Sequence, residues 1–279
     1  MRESGHYRRA AALAASLDPG DDRAMKPVIV IATLIFALVS GVIALFFLNQ
    51  RRLVYFPDAS NGDAIPPSFT LKRPDGVTLR GWVDDPGQPR ALLYFGGNAE
   101  TLQAARAELR ECCPGWSRYF LPYRGYGGSE GAPASPAIHA DALAFYDTVA
   151  KRHPGQPVAL IGRSLGSGVA AHVAANRPVS KLVLVTPFDS LKNVAKAHYP
   201  WLPVGLLLRE RYDSADWLRG KPLAAMVIRA RHDQVIPAAN TDALLRALPD
   251  DTWVVELEGD HNTFAEAEGF RQALADFLR

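Results

Sequence analysis

From residue 68 to the end of the chain, short runs of Val, Leu, Ile and aromatic residues alternate with longer stretches of helical periodicity, and this alternation constrains the fold most. Ala91-Leu-Leu-Tyr-Phe95, Tyr119-Phe-Leu121, Val158-Ala-Leu-Ile161, Lys181–Val185, residues 224–229 and Trp253–Leu257 read as strands. They are almost continuously apolar rather than alternating. A strand of that kind is buried on both faces, so helices must cover both sides of a mostly parallel sheet. Residues 101–110, 136–152, 165–175, 238–248 and 264–278 supply the helical patterns. At the front, Phe69–Lys72 and residues 78–83 flank Pro74-Asp75-Gly76, a turn signal that predicts an antiparallel opening pair. The expected fold class is therefore α/β, with a mostly parallel sheet and helices on both faces, over residues 51–279. A single domain accommodates a segment of that size. The stretch 187–222 breaks the alternation and is expected to form a short lid over the strand ends. With 48% apolar and 22% charged residues there is material for a sizeable core. Net charge is only +2 and no long basic run occurs in the globular part, so nucleic acid is not an expected partner.

Residues 28–48 carry no charge at all. Twenty-one helical residues rise about 30 Å, the thickness of the hydrocarbon core, and no polar stripe marks a face for water. The run passes into Phe46-Phe47-Leu48-Asn49-Gln50-Arg51-Arg52 without a small-residue cleavage site, which predicts an uncleaved signal-anchor rather than a signal peptide. Residues 27–49 are thus expected to be a single transmembrane helix whose partner is the lipid bilayer, preceded by an extension, residues 1–26, without ordered structure. Arg2, Arg8, Arg9, Arg23 and Lys26 precede the run, against Arg51 and Arg52 after it. This bias places the N-terminus in the cytoplasm and the catalytic domain on the far side. Met25-Lys26-Pro27 also reads as a natural start. Were residues 1–24 not part of the native protein, the charge comparison would leave the orientation nearly undecided.

Gly162-Arg163-Ser164-Leu165-Gly166 fits G-x-S-x-G. The pattern alone is weak, but here an apolar strand precedes it and a small-residue helix follows. A strand–turn–helix junction this tight places the serine, Ser164, on a sharp turn at a helix N-terminus, the geometry of a nucleophile. A serine hydroxyl needs an imidazole to take its proton and a carboxylate to fix that imidazole. Of the histidines downstream, His261 lies in the loop after the strand Trp253–Leu257 and is the expected base, whereas His198 and His232 are read as structural or surface groups. Asp233, in the loop after residues 224–229, is the expected acid. Asp189 is the best alternative, and Asp260, adjacent to the histidine, is a weaker one. Two backbone N–H donors for an oxyanion are expected, from Leu165 and from Asn98 in the glycine loop 96–99. Cys112 and Cys113 are adjacent and read as packing positions. No metal-ligand spacing occurs, and no cofactor is expected.

Further motifs accompany these: Leu53-Val-Tyr-Phe-Pro57, Tyr94-Phe-Gly-Gly-Asn-Ala99, Tyr123-Arg-Gly-Tyr-Gly-Gly-Ser-Glu-Gly131, Thr186-Pro-Phe-Asp-Ser190 and Gly259-Asp-His261. With the serine motif they span nearly all of the chain from Arg51 onward. In them the sequence resembles the membrane-anchored branch of the α/β-hydrolase superfamily, whose members are serine aminopeptidase-like or depalmitoylase-like hydrolases. The resemblance implies the α/β-hydrolase fold, Ser164, Asp233 and His261 as the triad, and the Asn98 and Leu165 amides as the oxyanion hole. One departure is visible: the family has His-Gly-Asn where this chain has Gly96-Gly97-Asn98. The expected activity is hydrolysis of a carboxylic ester or thioester, lipid-like or acylated. Residues 199–208, apolar throughout, are expected to form an acyl-chain pocket or a membrane-facing patch. Aminopeptidase-like amide hydrolysis is one alternative, for which Glu210, Asp213 and Asp216 could supply charge to meet a free amine but read rather as solvated groups, and a non-catalytic membrane scaffold is the other.

Overall fold

In the computed structural model, residues 22–60, 66–266 and 269–279 are described, with side chains described from residue 25 onward except that of Ser60. The chain divides into two compact units, Met1–Asn49 and Gln50–Arg279. Of the expected N-terminal extension 1–26, residues 1–21 lie outside the described residues. The first helix, α1 (Asp22–Val54), begins five residues before the expected span and runs through Pro27. Its first turns are built from Arg23, Ala24, Met25 and Lys26, all good helix formers. Within it an 18-residue window reaches a mean hydropathy of 2.9 with none of it buried. The helix is long and apolar enough to cross a bilayer.

The second unit is built on an eight-stranded sheet: β1 (Phe69–Lys72), β2 (Thr78–Asp84), β3 (Arg90–Phe95), β4 (Trp116–Phe120), β5 (Val158–Arg163), β6 (Lys181–Val185), β7 (Ala225–Ala230) and β8 (Trp253–Leu257). The spatial order is β1-β2-β4-β3-β5-β6-β7-β8. β1 and β2 pair antiparallel, as does β2 with β4, and every later pairing is parallel. The fold is that of the α/β-hydrolases.

Two cores explain the apolar strands. Leu93, Leu160, Leu182 and Val227 point to one face, where α3 (Ser135–Arg152) and α4 (Leu165–Asn176) cover them with Ile138, Phe145, Val169 and Val173. Their immediate neighbours Leu92, Ala159, Val183 and Met226 point to the other, beneath α2 (Leu102–Cys112) and α9 (Phe270–Leu278). All eight strand residues are fully buried, which is why no polar alternation is tolerated. The edge strand β8 departs from this pattern, with Trp253 and Val254 exposed because no strand lies beyond it. Between β6 and β7 the segment 187–222 carries three short helices, α5 (Leu191–His198), α6 (Val204–Leu207) and α7 (Ser214–Leu218). The remaining helix, α8 (Ala238–Leu245), lies between β7 and β8.

Parallel registry aligns the strand ends. Phe95 pairs with Gly162, Arg163 with Val185, Val185 with Ile228, and Ala230 with Leu257. The loops that follow β3, β5, β6, β7 and β8 therefore leave from one edge, and functional side chains collect there.

Candidate active site

Ser164 is the single residue between β5 and α4, and the turn it makes is strained, with φ +51° and ψ −118°. Positive φ is rare for a residue with a side chain and persists only where surroundings impose it. Here the Ser164 N–H donates to the Val185 carbonyl at 2.9 Å, while its own carbonyl accepts from the Ser167 N–H at 2.9 Å and the Ser167 hydroxyl at 2.6 Å. The flanking glycines are required for space. A Cβ on Gly162 would stand 2.3 Å from the Gly166 oxygen, and one on Gly166 2.0 Å from the Phe95 oxygen.

The hydroxyl so presented meets the predicted histidine. His261 Nε2 lies 2.9 Å from Ser164 Oγ, and His261 Nδ1 lies 2.8 Å from Asp233 Oδ2. The imidazole and carboxylate side chains are only 9% and 8% exposed. Asp233 is itself fixed, because Oδ1 accepts the Val235 and Ile236 amides at 2.9 and 2.7 Å. One oxygen thus anchors the carboxylate to its own loop and the other faces the imidazole. Three residues far apart in sequence are joined in one hydrogen-bonded line.

The alternatives point elsewhere. Asp189 is buried, but its Oδ1 accepts from Asn240 at 2.7 Å and its Oδ2 from Asn193. Asp260 uses Oδ1 to accept the Asn262 and Thr263 amides, which holds its carboxyl below the usual carboxylate range and caps its own turn. His232 is exposed and faces Glu258. His198, at the end of α5, lies 2.8 Å from the Val235 carbonyl, so this helix touches the loop that carries Asp233.

The glycine loop also lies beside the serine, a Cβ at Gly97 falling 3.7 Å from Ser164 Cβ. Among the described residues, the backbone N–H groups of Leu165 and Asn98 have no protein acceptor. The Gly97 N–H is engaged instead, donating to Glu100 Oε2 at 2.7 Å. Glu100 was not evident from sequence. Its Oε1 accepts the Tyr94 hydroxyl at 2.7 Å and stands 3.4 Å from Arg163 of the elbow. Burial and then the Glu100 charge push the Tyr94 hydroxyl well above its ordinary pKa, so it remains a donor. Asn98 turns its side chain away, donating from Nδ2 to the Val54 carbonyl at 2.9 Å. At Gly96, where the family has histidine, a Cβ would approach Leu102 Cδ2 to 2.8 Å, so a larger residue there requires the end of the Leu102 side chain to shift.

Glu210 corrects the sequence reading. It is not available to a substrate amine: it is 2% exposed and accepts from Tyr55 Oη at 2.6 Å, the Ser135 N–H at 2.6 Å and Arg51 Nε at 3.0 Å. Burial works to raise its pKa, but these donors outweigh burial and hold it below the usual range. Asp216 is 81% exposed beside Arg219, and Asp213 stands 4.0 Å from Arg211. Cys112 and Cys113 are buried and free, with sulfurs 3.1 Å apart. Among the described residues no cluster of three or more His, Cys, Asp or Glu side chains is disposed to hold a metal ion.

Residues 107–257, just over half of the chain, match the family described as serine aminopeptidase, S33. An uncharacterized protein of Mycobacterium tuberculosis is 35% identical over 250 residues, covering 85% of this chain and 88% of its own length. The lysophosphatidylserine lipase ABHD12 of Danio rerio is 28% identical over 242 residues, 75% of this chain, and this chain spans only 62% of that protein's length. Among solved structures, an esterase of Pyrococcus furiosus superposes with TM-score 0.61 at 17% identity, covering 75% of this chain and 90% of the esterase. Est1E of Butyrivibrio proteoclasticus, with ferulic acid bound, gives 0.61 at 15% identity, covering 76% and 98%.

Proposed function

The chain belongs to the α/β-hydrolase family described as serine aminopeptidase, S33, and from that premise we propose that it cleaves carboxylic esters or thioesters of lipid-like or acylated substrates through an acyl-enzyme on Ser164. The single observation that carries this reading is the line Ser164 Oγ–His261 Nε2–Nδ1–Asp233 Oδ2, at 2.9 and 2.8 Å. In the first step His261 takes the hydroxyl proton as Ser164 attacks the carbonyl carbon, and the negative charge on the carbonyl oxygen is met by the Leu165 and Asn98 amides. His261 then returns the proton to the leaving alcohol or thiol. A water, activated by the same imidazole, releases the acid. Asp233 stays ionised throughout and holds Nδ1–H toward itself, so that Nε2 is free to accept.

Ester chemistry is favoured over aminopeptidase chemistry because Glu210, one of the carboxylates the sequence offers to a free amine, is consumed by Tyr55, Ser135 and Arg51. The relatives that act on lysophosphatidylserine and on esters point the same way. Residues 28–48 are proposed to anchor the chain in a bilayer by a single pass, and segment 187–222 to border the substrate entrance.

The test is labelling of the detergent-solubilised protein with a fluorophosphonate, followed by hydrolysis of a p-nitrophenyl ester series of rising chain length beside aminoacyl anilides. Ser164 is expected to be labelled, the esters to turn over, and Ser164→Ala to abolish both. Turnover of anilides in preference to every ester would overturn the ester assignment. A folded protein that is inert to the probe would overturn the enzymatic one.

A further inference from the structure

Position 163 carries a charge where the pattern of its strand calls for an apolar side chain. Along β5, Leu160 faces one core while Ala159 and Ile161 face the other. Alternation therefore sends the Arg163 side chain to the Ile161 side, at the strand end next to Ser164. There the guanidinium is 23% exposed and stands 3.4 Å from Glu100, whose side chain is 10% exposed. An ion pair so far out of water adds little stability over an apolar side chain of similar volume, because desolvation offsets the attraction between the charges. Packing alone does not account for the arginine.

The groups it meets do. Glu100 holds the glycine loop: its Oε2 accepts the Gly97 N–H at 2.7 Å and its Oε1 the Tyr94 hydroxyl at 2.7 Å. The residue after Gly97 is Asn98, whose amide is the proposed oxyanion donor. The Arg163 guanidinium carbon also lies 5.4 Å from the centroid of the Phe264 ring, within the range of cation–π attraction. Phe264 is fully buried and closes the loop that carries His261. Its N–H donates to the Asp260 carbonyl at 3.2 Å, and a Cβ on Gly259 would fall 2.9 Å from its Cα. Arg163 thus joins three segments. It is peptide-bonded to the nucleophile, its charge meets the glycine loop, and its planar face meets the histidine loop.

We propose that Arg163 is a positioning residue for acyl transfer, which through Glu100 and Phe264 sets the Asn98 amide and the His261 imidazole in register with Ser164. The role rests on the acyl-enzyme reading and deepens it, since Arg163 acts through these two groups rather than on the substrate.

The test compares the full-length parent, Arg163→Met, Glu100→Gln and the double variant in detergent. The readouts are kcat and KM on one p-nitrophenyl ester and the rate of fluorophosphonate labelling. A cavity of about 450 Å³ adjoins Arg163, Glu100 and Phe264, so methionine fits without overpacking, and a thermal melt shows whether each variant is folded. Arg163→Met is expected to lower kcat and the labelling rate on the order of tenfold with KM little changed, as when a loop beside the reacting groups is displaced. Because Arg163 acts through Glu100, the double variant should fall well short of the roughly hundredfold loss that two independent effects would multiply to. Arg163→Lys keeps a charge for Glu100 but no planar group over Phe264, and its kcat should lie between those of the parent and Arg163→Met. Arg271→Met removes a cation that lines the same cavity but pairs with Glu108 and Glu111, and should leave both rates as they are. Full multiplication in the double variant, an equal loss in Arg271→Met, or an effect confined to the thermal melt overturns the positioning role. Should Arg163→Met not fold, Arg163→Lys carries the test, and a kcat equal to the parent's overturns the role likewise. A parent that takes no label at all overturns the acyl-enzyme reading itself, so the two failures are distinct.

Discussion

The helix that starts at the nucleophile is packed through a stacked pair of histidines, His139 buried and His172 half-buried, and the burial of His139 ties the fold's stability to acid pH. His139 of α3 stacks on His172 of α4 with ring centroids 4.3 Å apart and an interplanar angle of 20°. Tyr212 and Trp217 close the cluster edge-on at 4.9 and 5.2 Å from His139. His139 is 8% exposed, and among the described residues its Nε2 has no hydrogen-bond partner. Burial, then repulsion from His172, pulls the His139 pKa down to about 3, against an opposing pull from the Glu210 charge. In the unfolded chain the same imidazole titrates near its ordinary value of about 6.5. Between these two values the unfolded state holds a proton that the folded state refuses. The stability present above about pH 6.5 is therefore lost as pH falls, until the folded pKa is reached. At about pH 4.5, two units below the unfolded pKa, the loss is about 3 kcal/mol. His172, also lowered by burial, adds to it in the same direction. His139→Phe keeps a ring in the cluster and removes the titrating group. Urea unfolding of the full chain in detergent, followed by near-UV circular dichroism at neutral pH and at about pH 4.5, gives both stabilities. The variant is expected to match or exceed the parent at neutral pH and to lose about 3 kcal/mol less on acidification. If both proteins lose the same amount, the stacked histidines are not what the acid limb reports, and the reasoning fails.

Three further outcomes follow from the site. Asp233→Asn should keep the fold, since Oδ1 can still accept the Val235 and Ile236 amides. It should lower kcat for p-nitrophenyl esters by about 10³–10⁴-fold, as expected when the imidazole tautomer is no longer fixed; a loss below tenfold would remove Asp233 from the triad. Glu100→Gln leaves one acceptor oxygen for two donors, the Gly97 N–H and the Tyr94 hydroxyl, and should lower kcat on the order of tenfold with KM little changed if the glycine loop positions an oxyanion donor. Glu210→Ala strips Tyr55, the Ser135 amide and Arg51 of their acceptor and should cost about 3 kcal/mol by denaturant titration, whereas Asp216→Ala, on the exposed side of the same segment, should cost almost nothing.

What could be read from the sequence and what could not divide along a physical line. The strands were legible because burial on both faces leaves its mark in consecutive residues: Leu92 and Leu93 serve opposite cores and are both apolar. The elbow was legible for a similar reason, since a φ of +51° at Ser164 is tolerated only if Gly162 and Gly166 yield space within two residues on either side. Choosing between Asp189 and Asp233 was harder. Each follows a strand, and what separates them is that Asn193 and Asn240 occupy Asp189, the second of these 51 residues away. Glu210 was misread altogether. Set between Arg209 and Arg211, it has the look of a solvated charge run, and nothing nearby in sequence announces its burial. Its partners stand 155, 75 and 159 residues away. Two of them, Arg51 in the last turn of α1 and Tyr55 directly after it, lie where the chain leaves the apolar helix. The motif Leu53-Val-Tyr-Phe-Pro57 at the end of the apolar helix is therefore no mere linker: its polar atoms complete a buried network in the segment beside the active site. The chain thus ties its route out of the apolar helix to the geometry of the glycine loop and of the segment over the acid. Any change that shortens or slips that stretch should disturb Asn98 and Glu210 together.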